Sequence, residues 1–155
     1  IHNYHKLGVA LHRQEASEHM TAKMEQLFAE SQTSPGKRSL LVFAHEGARF
    51  WVATPKGWLG QLAQRMGLKV VPEGPKGFQP INAETIFDLA PEQILELRGK
   101  STGSTSLAEL QAKWSRFPNL LQSSNVHLIE DPELLQPGAS LLRTAQTFRS
   151  FRHSP

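Results

Sequence analysis

The chain has 155 residues, a length that suits one domain able to bury most of the surface its unfolded form exposes. Hydrophobic residues make up 39% of it and mean hydropathy is −0.38, with no run near the ~18 apolar residues of a membrane span. A net charge of +3 carried on dispersed bases argues against a dense nucleic-acid footprint, and the lack of cysteine excludes disulfides, thiolate metal sites and a cysteine nucleophile.

In chain order, Leu7, Leu11, Met20, Met24, Leu27 and Phe28 recur at helical steps, so Tyr4 to Glu30 is predicted as one long helix of about 40 Å. Because the sequence opens inside this pattern at Ile1, a preceding part is expected to have been processed or left out. SQTSPGKR, Ser31 to Arg38, breaks the helix. Ser39 to Ala44 (SLLVFA) then reads as a buried parallel strand, HEGAR as a turn, and Phe50 to Ala53 as a second extended piece. Thr54 to Gly57 turns into a helix over Trp58 to Met66, which Gly67 ends. Lys69 to Val71 is a short strand, followed by a Gly/Pro-rich loop that offers Phe78. Asn82 is placed to cap the next helix, AETIFDLA, with Glu84 in its first turn. Strand Gln93 to Leu97, connector GKSTGSTS, helix Leu107 to Trp114, strand Asn125 to Ile129 and helix Ser140 to Phe151 complete the chain. Strand and helix alternate about four times, which predicts a mainly parallel sheet with helices on both faces.

Several residues invite chemistry. His12, Glu15 and His19 would converge on one helix face as metal ligands, but a half-exposed face accounts for them better and no fourth ligand is evident, so no metal site is expected. Lys100 and Ser101 after Gly99 lack the earlier glycine of a phosphate loop. His45 and Glu46 would serve as an acid/base pair, yet nothing supplies a nucleophile. The aromatic set is more telling. Phe50, Trp51, Trp58 and Phe78 fall at strand ends or loops on one edge of the sheet, and alternation requires Phe50 or Trp51 to point inward. Arg49 is either a solvated charge or a contact for an anionic ligand.

The runs FWVATPKGWLGQLAQRMGL, GFQPINAETIFDLAPEQIL, WSRFPNL and NVHLIEDPELLQPGASLL resemble the C-terminal lobe of ABC-transporter substrate-binding proteins of the metal-chelate cluster. These bind ferric siderophores, haem and cobalamin between two α/β lobes joined by a rigid helix. The resemblance implies that residues 1–30 are that connecting helix and 39–155 a Rossmann-like three-layer lobe, with the N-terminal lobe absent from this chain. It implies ligand contacts from Arg49, Trp51, Lys56, Trp58, Phe78, Leu135 and Gln136, and a permease-docking role for Glu84. It also implies a periplasmic, non-enzymatic receptor without a cofactor, partnered by an inner-membrane permease and a metal chelate. The departures are that Tyr4 is the only tyrosine, that Gly77 and Phe78 carry no donor atoms on their side chains, and that LLQPGAS lacks an arginine. These favour apolar contact with an already wrapped metal. A face of the long helix carrying Met20 and Met24 would be free to form a dimer. Two rivals stand beside this reading. One is a small α/β enzyme using His45, Glu46 or Lys56, and the other is nucleic-acid binding through the basic tail Arg143, Arg149 and Arg152.

Overall fold

A computed structural model describes residues 10–31, 36–46, 48–99, 107–117, 125–131, 133–134 and 140–152. The long helix is present as α1, Gln14–Ser31, but it does not run unbroken from the residues before it. The chain turns at Leu11 and His12, where His12 takes a φ of +54°. Leu11 is 66% exposed, so the apolar repeat has nothing to bury against there and cannot hold the helix through that point. His12 therefore shares no helix face with Glu15 and His19, and no metal-binding cluster exists among the described residues. Met24 is buried in the core rather than offered to a second copy, while Met20 is half-buried.

Six strands form one sheet: β1 (Arg38–Glu46), β2 (Arg49–Ala53), β3 (Lys69–Val71), β4 (Phe78–Asn82), β5 (Gln93–Arg98) and β6 (Asn125–Glu130). The order is β4-β2-β1-β5-β6, with β3 also beside β1. β1 lends the edge opposite β5 twice: Arg38–Leu40 pair in parallel with β3, and Val42–Glu46 pair antiparallel with β2. β5 and β6 continue the parallel part, and β4 lies antiparallel on β2. The mainly parallel sheet thus carries an antiparallel extension, β1–β2–β4. β1 runs two residues beyond Ala44 to form it, and Phe78 lies on its edge strand, not in a loop.

Helices cover both faces. On one, Leu41, Leu95 and Leu97 pack with Met24 of α1, with Leu59 and Leu62 of α2 (Trp58–Arg65), and with Phe148 of α5 (Leu141–Ser150). On the other, Leu40, Val42, Phe50 and Ile94 pack with Ile86 of α3 (Ala83–Leu89) and Trp114 of α4 (Leu107–Trp114). β5 is buried on both sides, as its apolar run requires. The Asn82 side chain caps α3 by accepting from the Thr85 N–H at 2.8 Å. Gly67 ends α2 with a φ of +88°, against Ser31 O and the Arg152 side chain. The basic tail is not a free patch: Arg143 meets Asp131 and Glu133, Arg149 meets Glu30, and Arg152 is buried. Acidic partners from distant segments offset charges that look unbalanced along the chain.

Candidate functional site

The site begins with one extra residue. Val42 opposes Val52 and Ala44 opposes Trp51, so Phe43 has no partner of its own and forms a β-bulge. The bulge shifts the alternation of β1. Before it, Val42 faces α3 and α4; after it, His45 faces the same way, in contact with the rings of Phe50 and Trp114. Phe43 packs instead against the α1–α2–α5 side.

On that side the antiparallel extension is uncovered. Trp51 alternates with the buried Phe50 and Val52 and so points away from α3, as do its cross-strand neighbour Pro80 and, two residues earlier, Phe78. Phe78 is 37% exposed and meets Phe43 edge-on, with ring centroids 4.8 Å apart. The Trp51 indole N–H donates to Glu46 Oε2 at 3.1 Å, holding the ring over the strand. Arg49 stands at the outer end of this face, where it lines a shallow cavity of about 420 Å³ with Pro80 and Asn82. The same three strands are thus sealed by a core on one face and show half-open aromatic rings on the other.

Two loops bring Trp58 to this face. The Thr54 N–H donates to Gly77 O at 3.0 Å, and the Thr54 hydroxyl donates to Lys76 O. The Gly57 N–H closes the turn on Thr54 O at 3.1 Å. Gly57 and Gly77 then lie back to back: a Cβ on Gly57 would sit 2.6 Å from Gly77 O, and one on Gly77 would sit 2.8 Å from Gly57 Cα. The residues that follow these glycines are Trp58 and Phe78. Trp58 opens α2 and packs half-buried against the same core cluster as Phe43. Lys56 is exposed in the turn itself.

The opposite face holds a buried charge. Glu96, on β5, has no exposed surface. Its Oε2 accepts from the Trp114 indole N–H at 3.0 Å and lies 3.1 Å from His45 Nε2, while Oε1 accepts from Arg98. Burial alone would raise its pKa, but the contacts with His45, Trp114 and Arg98 together hold it below the usual glutamate value. His45 and Glu46 therefore point to different faces and do not form an acid/base pair. His45 belongs to the Glu96 cluster and Glu46 to Trp51.

Of the residues expected to contact ligand, Arg49, Trp51 and Phe78 share the uncovered face, Trp58 borders it and Lys56 stands in the adjoining turn. Leu135 and Gln136, like Lys100 and Ser101, lie outside the described residues. Phe43 and Pro80 complete the face and were not expected. Glu84 is exposed in the first turn of α3, beyond the far end of β4 from Phe78.

No family model matches the chain, and no curated protein does. Solved structures match it closely in shape. A periplasmic heme-binding protein from Pseudomonas aeruginosa is 21% identical, with a TM-score of 0.71 over 98% of this chain and 58% of its own. An ABC transporter substrate-binding protein from Listeria monocytogenes is 15% identical, with a TM-score of 0.70 over 97% and 62%. An ABC-type Fe3+-hydroxamate transport protein from Saccharomonospora viridis is 10% identical, with a TM-score of 0.70 over 99% and 55%. The chain therefore has the fold of substrate-binding proteins of ABC transporters and spans about three-fifths of their length.

Proposed function

We propose that this chain is the ligand-binding lobe and connecting helix of a periplasmic ABC-importer receptor for an iron chelate, either haem or a ferric siderophore. The observation that carries the reading is the uncovered aromatic face of β1–β2–β4, with Phe43, Trp51 and Phe78 half-open to solvent on strands whose other side is sealed. Rings in this setting suit a large, flat or globular ligand with an apolar exterior, and Arg49 at the margin suits its carboxylate or other anionic edge. The named relatives in shape bind heme or belong to Fe3+-hydroxamate transport, which supports the same class. Metal ligation is assigned to the chelate itself, since the rings at the centre of this face offer no donor atoms. No protein cofactor enters the proposal. Glu84 is assigned to the permease, because it is exposed and carries no ion pair among the described residues.

The test is a titration of the complete protein with haem, a ferric hydroxamate and cobalamin, followed by tryptophan fluorescence. Phe78→Ala removes a ring worth about 1.5–3 kcal/mol when buried, so affinity for the true ligand should fall about tenfold or more. An unchanged Kd would remove this face from the binding site.

A further inference from the structure

A second concavity lies on the other side of the sheet, and its chemistry is unlike that of the aromatic face. It is a groove of about 750 Å³ between the start of α3 and the end of α4. Glu84 stands on the α3 wall, while Lys113 in the last turn of α4 and Arg116 in the turn that follows it both line the other wall. All three are exposed, and none is in an ion pair among the described residues. The floor is apolar, formed by Phe50 and Phe117, whose rings meet edge-on at 5.9 Å. At the back the His45 ring is turned toward the buried Glu96.

We infer that this groove receives a protein segment of opposite polarity: a carboxylate side chain held by Lys113 and Arg116, a basic one held by Glu84, and an apolar side chain between them on Phe117. The inference rests on the proposed importer role, in which the segment belongs to the permease. Charge complementarity carries the choice. One acid facing two bases across an aromatic floor gives the groove a direction. A partner with like charges in either place would be repelled, while a matched one is oriented before contact. A small anion would need only the basic wall and would leave Glu84 opposing it. The two bases thus set the register of docking as well as its strength.

The experiment measures binding of the complete receptor to its permease in nanodiscs as salt is raised, beside ligand titration and a thermal melt. The Lys113→Glu/Arg116→Glu pair should weaken association at least tenfold, chiefly by slowing it, and should leave chelate affinity unchanged. The milder Lys113→Gln/Arg116→Gln pair should give a smaller loss and a flatter salt dependence, which separates lost charge from lost folding. Association unchanged in both pairs, with Glu84→Lys still impairing it, overturns the groove and leaves the importer role standing. Association unchanged in all three variants, Glu84→Lys included, overturns the groove and the docking role together.

Discussion

Gly57 and Gly77 show how little side-chain volume the site tolerates. Each occupies the place where the other's Cβ would be, and the atoms in the way are backbone, which cannot swing aside. Gly57→Ala should therefore destabilise the lobe by about 1–3 kcal/mol. It should also push Trp58 off the ligand face, lowering chelate affinity, as a melt and a titration on the same variant would show. Gly74 is a useful contrast, since the atoms nearest to a Cβ there belong to the Gln79 side-chain amide, which can rotate away. Gly74→Ala should cost much less, and equal losses at the two positions would contradict the account of the loop crossing. Glu96 illustrates a signal that the sequence does carry. A carboxylate inside QILEL, a strand buried on both faces, must find partners, and it finds three. His45, Arg98 and Trp114 could have been sought on that ground alone.

At the scale of elements, α3 is short and depends on its ends. The Asn82 side chain accepts from both the backbone N–H and the hydroxyl of Thr85, at 2.8 and 2.7 Å. Asn82→Ala should cost about 1 kcal/mol and fray the turn that carries Glu84, so docking would weaken while ligand binding holds. Thermal denaturation together with the permease assay would check both halves. This cap and the glycine that ends α2 were legible, because a polar residue before an apolar repeat and a glycine after one act through local hydrogen bonds and backbone freedom. The strand order was legible in class only. SLLVFA looks uniformly buried, and nothing in it marks Phe43 as the residue left without a partner. A bulge arises from pairing with another strand, and one strand's sequence does not contain it. The sequence reads Phe78 as a ring offered by a loop because GPKG obscures the strand that follows, whereas the ring stands on edge strand β4, 37% exposed.

For the whole molecule, acid stability should fall in two stages. His127 is half-buried beside Phe151, and burial followed by the charge of Lys37 lowers its pKa from the usual histidine value. It is therefore neutral when folded, and the unfolded chain binds the extra proton first as pH drops below about 6.5. Glu96 is also depressed, so its contribution is present above the usual glutamate range and is lost as pH falls below it. Melts from neutral to strongly acid pH should show an early decline absent from His127→Gln and a later one blunted in Glu96→Gln. A curve of the same shape in both variants would assign acid sensitivity elsewhere. The bulge at Phe43 ties these faces together in another way. Val42 and His45 are three positions apart and share a face only because Phe43 is extra, so this one residue adds a ring to the aromatic face without disturbing the Glu96 cluster. Deleting Phe43 would restore plain alternation with Val42 and His45 two positions apart, so His45 would still face Glu96. Glu96 would keep that partner, while Phe78 would lose the ring that meets it edge-on. Shortening the strand by that one residue should therefore weaken chelate capture and leave the Glu96 cluster standing, as a titration beside a melt would show.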